Sequence, residues 1–308
     1  MFVPMIRKQA TNRILMVRPA VFGYNPETAA NNAFQKLTGS PETVAKQAQK
    51  EFDNYVSLLR DNGVDVLVVQ DSPKPHTPDS IFPNNWFSTH ITGELVLYPM
   101  FALNRQQERK LPILATVGEL DGVQRIINLK SYEAQRKYLE GTGSMVLDRI
   151  NKIAYCCASE RSSVEVLDIF KEELDYSLVF FHATDTNDAP IYHTNVMMCV
   201  ATHYAVVCLE AIKNDNERET VINSLTSTGH EVITITLEQV NHFAGNMLEL
   251  ESDEGKSLII MSAEAKRSLT FTQIENIEKY SKILAPELYT IETNGGGSAR
   301  CMIAEIFL

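Results

Sequence analysis

No stretch of this 308-residue chain approaches the roughly 18–20 consecutive apolar residues that a membrane-spanning helix requires. The amino-terminal stretch Met1 to Ala20 mixes Arg7, Lys8, Arg13 and Arg18 with short apolar pieces. It lacks the apolar centre of a signal peptide, so a cytoplasmic protein is expected. Basic residues are the minority: 28 Lys and Arg stand against 39 Asp and Glu, a net charge of -11. Nucleic acid and anionic membrane are therefore poor candidates for the main partner, whereas a small zwitterionic or cationic molecule is not excluded. Cysteine is scarce, with five residues (156, 157, 199, 208 and 301), an odd number without Cys-x-x-Cys spacing. That pattern fits reduced thiols better than a disulfide framework or a zinc site. Low-complexity linkers are missing too, so residues 1–308 read as a single domain.

What is present is a folded α/β composition, 44% hydrophobic and 22% charged. Ile14 to Val17 reads as a strand. Ser40-Pro41-Glu42 opens a helix with a cap, a proline in the first turn and an acid. Val44, Ala48, Phe52, Tyr55 and Leu59 share one face of it, and Asn62-Gly63 ends it. Strands follow at Val64 to Val69, Trp86 to Thr89, Glu94 to Tyr98, Ser144 to Leu147 and Lys152 to Cys157. Further on, the pattern gives helix Val164 to Leu174, strand Ser177 to Phe181, strands Ile191 to Val200 and Tyr204 to Leu209, and helix Asn216 to Thr228. Strand Glu231 to Ile235, short helix Leu237 to Phe243 and strands Met247 to Leu250 and Ser257 to Met261 precede a last unit. That unit reads as helix Thr272 to Leu284, strand Glu287 to Glu292, a glycine turn and a terminal strand. Strands, helix, strand recur about five times, at intervals of roughly 55–60 residues, as in repeat architectures.

Five polar segments lie beside these apolar runs, where side chains can converge. Asn294-Gly295-Gly296-Gly297-Ser298-Ala299-Arg300-Cys301 brings a thiol next to a glycine turn, whose backbone N–H groups favour a thiolate. Taken alone, Cys301 reads equally as a small core residue entering the last strand. Thr77-Pro78-Asp79-Ser80-Ile81-Phe82-Pro83-Asn84-Asn85-Trp86 holds the only tryptophan, and its prolines exclude a helix interior. Tyr138-Leu139-Glu140-Gly141-Thr142-Gly143 places an acid before two flexible glycines. In Tyr192-His193-Thr194-Asn195-Val196, an extended strand would turn His193 and Asn195 to one face. Arg105 and Arg161 complete the set. Individually each has a bland reading as a turn, surface or hydrogen-bonded structural residue.

Together these segments resemble the guanidino-group-modifying enzymes: arginine deiminase, dimethylarginine dimethylaminohydrolase and the amidinotransferases. The resemblance spans nearly the whole chain, in order. Pro78-Asp79-Ser80-Ile81-Phe82-Pro83-Asn84-Asn85-Trp86 and Tyr192-His193-Thr194-Asn195-Val196-Met197-Met198 are most similar to the citrulline-utilising hydrolases. It implies a five-bladed α/β propeller (pentein) of pseudo-fivefold ββαβ-type repeats, in agreement with the five units. It also implies three catalytic residues: Cys301 as nucleophile, His193 as general acid and base, and Glu140 as the carboxylate that binds substrate nitrogen and takes part in proton handling. Asp79, Phe82, Arg105 and Arg161 fall at substrate-binding positions, the arginines where relatives hold an α-carboxylate. No cofactor or metal is implied. The expected partner is a small amino acid, with self-association left open.

The sequence departs from the wider pattern at two positions. Many relatives carry aspartate where Asn85 stands, and arginine deiminases carry His-x-Asp where this chain has His193-Thr194-Asn195. A guanidinium is a permanent cation that needs buried opposing charge. A neutral ureido group needs donors and acceptors together, which a carboxamide supplies and a carboxylate does not. The expectation is therefore thiol-dependent hydrolysis of citrulline to ornithine, ammonia and carbon dioxide. The alternatives are arginine or a methylated arginine as substrate, an amidinotransferase, and a non-catalytic propeller that binds a macromolecule.

Overall fold

Ile14 to Val17 are all buried, as in a strand covered on both faces. In the computed structural model, which describes residues 7–29, 32 and 34–308, they belong to strand Arg13–Arg18. Met1 to Ile6, part of the amino-terminal stretch read above, lie outside the described residues. Arg13–Arg18 runs parallel to Asp65–Gln70, with Ile14 opposite Val66. Parallel neighbours require a crossover, here helix Pro41–Arg60. Ser40 caps it by accepting the Thr43 N–H at 3.3 Å. Its face of Val44, Ala48, Phe52, Tyr55, Val56 and Leu59 is buried with Ile14, Met16 and Val66 in one apolar cluster. Phe52→Ala in that layer should cost about 3–5 kcal/mol.

The same plan recurs down the chain. Phe87–Thr89 pairs antiparallel with Glu94–Leu97, which pairs parallel with Arg125–Asn128. Met145–Asp148, Ile153–Cys157 and Ser177–Phe181 repeat it, with helix Val164–Leu174 as the crossover. So do Met198–Val200, Tyr204–Val207 and Glu231–Thr234, and then Leu248–Glu251, Ser257–Ile260 and Lys282–Leu284. In the first sheet the antiparallel partner is Ala304–Glu305, from the far end of the chain. Among the described residues the fold is thus mixed α/β with five three-stranded sheets of one topology.

Side chains tie the leading strands of these sheets around one centre. Thr89 donates to the Glu305 carbonyl, Gln9 donates to the Leu147 and Val200 carbonyls, and Glu249 accepts from the Thr202 backbone. Among the described residues no helix is long and apolar enough to cross a membrane.

The last unit departs from the sequence expectation. The helix ends at Glu278, Lys282–Leu284 forms the strand, and Tyr289–Gly295, expected as strand and turn, is helical. Glu51, from the first crossover helix, accepts the Thr290 and Ile291 N–H groups at 3.0–3.1 Å. This long-range cap satisfies the first N–H groups of the helix and outweighs the β-propensity of Tyr289 and Ile291. Helix Leu111–Gly118 and strand Arg125–Asn128 fall in a stretch to which the apolar pattern assigned no element.

Candidate active site

Each leading strand is entered through a tight turn, and the polar residues sit on those turns. Pro83–Asn85 precedes the second sheet, Gly141–Ser144 the third, Thr194–Val196 the fourth and Ala299–Met302 the terminal strand. Residues 243–247 play this part before the fifth sheet. Sheet topology thereby gathers segments far apart in sequence at one centre.

Glu140 and His193 form the ionic half. Glu140 is fully buried; its Oε2 lies 2.7 Å from His193 Nε2 and 3.3 Å from an Arg161 guanidinium nitrogen. Its Oε1 accepts the Phe101 N–H at 2.9 Å. Burial alone would raise this carboxyl, but Arg161, then His193 and Arg105, outweigh burial and hold it below the usual carboxylate range. Burial pushes the His193 imidazole down to about 4, against the pull of Glu140. At neutral pH the pair is an ionised carboxylate and a neutral ring whose Nε2–H donates to Glu140, which leaves Nδ1 as the basic nitrogen. A Cβ on Gly143 would stand 2.4 Å from Asn85 Nδ2 and 2.8 Å from His193 Nδ1, so only glycine lets these side chains approach.

Cys301 forms the other half, in neutral surroundings. Its sulfur lies 3.2 Å from Asn246 Nδ2 and 3.7 Å from Asn195 Nδ2. Of the amides around the turn, Gly296 N–H donates to Glu292 O, Arg300 N–H to Asn246 Oδ1 and Cys301 N–H to Ser298 O, none of them to the sulfur. Glycine at 297 has a packing reason, since a Cβ there would meet the Phe82 ring at 2.8 Å.

A third group reads the pocket's remaining side. Arg105 is buried; it makes a two-pronged pair with Glu108 at 2.8 and 3.1 Å, and donates to Phe82 O and to Asn85 Oδ1 at 2.7 Å. Because Asn85 Oδ1 is occupied, the amide's donor end is fixed, and Asn85 Nδ2 is buried without a partner. Asp79 accepts from Asn25 and Thr28 through Oδ2, while its Oδ1 has no partner. Burial raises the Asp79 carboxyl and pushes Glu108 up to about 7, with Arg105 opposing in both.

Of the residues singled out in the sequence, Asp79, Phe82, Asn85, Arg105, Arg161, His193 and Cys301 line one cavity, with Glu140 behind His193. The cavity measures about 20 Å³, room for a single water. An amino acid therefore requires the lining, which includes Thr28 and Asn32, to open. Asn195 is the exception. The strand expected from Ile191 starts only at Met198, and Thr194–Val196 is a tight turn, so the assumed alternation fails. Its amide packs on the sulfur and does not line this cavity. Sequence reasoning missed Asn246 and Glu108. For Asn246 a signal exists: a small polar residue precedes each apolar entry to a leading strand, at Asn85-Trp86-Phe87, Ser144-Met145-Val146, Asn195-Val196-Met197, Asn246-Met247-Leu248 and Cys301-Met302-Ile303. Among the described residues no three His, Cys, Asp or Glu side chains cluster so as to hold a metal ion.

The profile of the family described as N,N dimethylarginine dimethylhydrolase, eukaryotic, matches residues 18–308. The chain belongs to this family. It is one of guanidino-group-modifying enzymes, hydrolases of carbon–nitrogen bonds other than peptide bonds. No curated protein sequence matches the chain. Among solved structures, the chain resembles the apo form of ArgZ, a cyanobacterial arginine dihydrolase, at 18% identity and a TM-score of 0.75. That match covers 96% of this chain but 41% of ArgZ, so the chain spans about two fifths of its length. The substrate-bound N-terminal domain of ArgZ, with Cys replaced by Ser, is covered to 99%, with a TM-score of 0.74 and 18% identity. A Pseudomonas aeruginosa dimethylarginine dimethylaminohydrolase in complex with citrulline matches at 14% identity and a TM-score of 0.67, covering 96% of this chain and all of the other.

Proposed function

We propose that this protein hydrolyses the ureido group of citrulline, giving ornithine, ammonia and carbon dioxide. One observation carries the reading. Arg105 holds Asn85 Oδ1 at 2.7 Å, which leaves a buried, unpartnered N–H donor on a residue that lines the cavity, packed at Gly143 beside the His193 ring. A donor there matches the ureido oxygen. It opposes a guanidinium, which presents only N–H groups.

In this reading the Cys301 proton passes to His193 as the sulfur adds to the ureido carbon. The same proton goes to the departing nitrogen as its bond to carbon breaks. His193 then takes a proton from water, which displaces the sulfur, and the released carbamate breaks down. Glu140 holds the ring and stabilises the imidazolium that forms in each half. Asp79 Oδ1, with no other partner, receives the substrate's ammonium group. Arg161, with one remaining hydrogen of Arg105, receives its carboxylate; Phe82 packs along the stem. We read the five sheets as the blades of a closed propeller, with the whole chain as one catalytic domain that needs no cofactor and acts in the cytoplasm.

Incubating the purified protein separately with citrulline, arginine and dimethylarginine, while following ornithine and ammonia, tests the proposal. Equal amounts of ornithine and ammonia from citrulline are expected. Release of citrulline from arginine, with citrulline itself inert, would defeat it. Arginine is the second reading, favoured by the buried ionised Glu140 and by the arginine dihydrolase among the structural neighbours.

A further inference from the structure

We propose that Asn246 is a catalytic residue, whose carboxamide donates a hydrogen bond to the Cys301 sulfur and favours its thiolate. Asn246 is wholly buried, and the orientation of its amide is fixed by backbone on both sides. Oδ1 accepts the Arg300 N–H at 3.1 Å, while Nδ2 donates to the Asn195 carbonyl at 3.0 Å. The second Nδ2 hydrogen is left for the sulfur, 3.2 Å away. Sulfur lies farther from Oδ1, at 3.6 Å, and that oxygen already has a donor, so the N–H contact is the stronger of the two.

The place of Asn246 in the repeat points the same way. It occupies the turn before the fifth sheet, and the equivalent turns of the other sheets supply Asn85, Ser144, Asn195 and Cys301. The Arg300 and Cys301 amides do not donate to the sulfur, because they are engaged by Asn246 Oδ1 and Ser298 O. Nor does Arg300 lend its charge directly, since its guanidinium is held by Glu305 and the Ile303 carbonyl. The ionisable groups around the sulfur are His193, Asp79, Arg105 and Arg161 across the cavity, with Tyr55 and Tyr192 beside it. An amide dipole against an anionic sulfur is a charge-assisted bond, stronger than its neutral counterpart. The Asn195 amide, at 3.7 Å, adds a weaker second donor.

The proposal rests on Cys301 being the nucleophile but not on the substrate, and its test needs no turnover. Alkylation of Cys301 by iodoacetamide, read by peptide mass across pH, is compared in the native chain, Asn246→Ala and Asn246→Asp. The four other cysteines do not line this cavity and serve as internal controls. Loss of the donor should lower the alkylation rate at pH 6 about 10-fold in Asn246→Ala. It should move the half-maximal pH up by about one unit, and further in Asn246→Asp, where a carboxylate faces the sulfur. The aspartate keeps the acceptor for the Arg300 N–H, so it decides the matter if the alanine variant does not fold. Folded variants with the native alkylation profile, even at a lower melting temperature, would reduce Asn246 to a backbone tie and overturn the proposal. Failure of both variants to fold would do the same. A silent citrulline assay with a shifted alkylation profile would defeat the substrate and leave Asn246 standing.

Discussion

The two halves of the pocket solve different problems with different chemistry. Around His193 the partners are charged: an ionised Glu140 at 2.7 Å, braced by Arg161. Around Cys301 the nearest partners are the neutral carboxamides of Asn246 and Asn195. A proton acceptor benefits from a fixed carboxylate, which steadies the cation formed on protonation. A sulfur that must leave as well as attack is better served by a dipole, which stabilises the anion without binding it as tightly as a full charge would. In the proposed mechanism, charge thus stands where protons move and dipoles stand where the covalent bond forms.

Replacing either half breaks the comparison most severely. Cys301→Ser should lower kcat by about 10⁴-fold or more, with substrate still bound, as isothermal titration would show. Glu140→Gln should lower kcat by roughly 10²–10³-fold in steady-state assays, because the neutral amide no longer stabilises the imidazolium. Retention of native kcat in Glu140→Gln would mean the ionic half is structural only. Next comes Asn85→Asp, which replaces the donor held by Arg105 with a second acceptor. Citrulline kcat/KM should fall by about 10–100-fold while binding of arginine strengthens. Unchanged kinetics would remove Asn85 from recognition.

Two pH effects sharpen the contrast. His193 is depressed to about 4, so its ring stays neutral well below the usual histidine range. The acid limb of kcat/KM should accordingly lie near pH 4–5, and a limb at 6.5 would contradict the burial argument. The depressed ring also makes stability rise with pH between about 4 and 6.5, where the unfolded chain binds the additional proton. Glu292, beside the glycine turn, is pushed up to about 7 by burial despite its bonds to Ser262 and Ser298. Its folded state favours the proton, so its stabilising contribution is full at low pH and is lost as pH rises through 7. Glu292→Gln should shrink the fall in Tm between pH 5 and 8 by about 2–3 °C in calorimetry, the smallest of these effects.

Much of this arrangement was legible in the residues because local chemistry set it. The Ser40-Pro41 start, the buried face of its helix and the Ile14 to Val17 strand follow from capping and periodicity alone. Cys301, His193 and Glu140 stood out because each sits where a turn meets an apolar run. What escaped depends on contacts between distant segments. Tyr289–Gly295 is helical because Glu51 caps it from more than 200 residues away. Asn195 turned from the substrate to the sulfur because three residues adopt a tight turn where alternation suggested a strand. Arg105 resembled a carboxylate clamp; its partners Glu108 and Asn85 make it first the residue that orients the amide. Asn246 was overlooked for another reason, since its importance lies in a contact with Cys301, 55 residues further along the chain.

The central claim is that the Cys301 sulfur attacks the ureido carbon, and intact-mass analysis of protein quenched in acid during citrulline turnover tests it most directly. The account predicts a covalent adduct on Cys301 in the native protein, trapped more fully at low temperature and absent from Cys301→Ser. Steady release of ornithine and ammonia with Cys301 unmodified at every time point would contradict it.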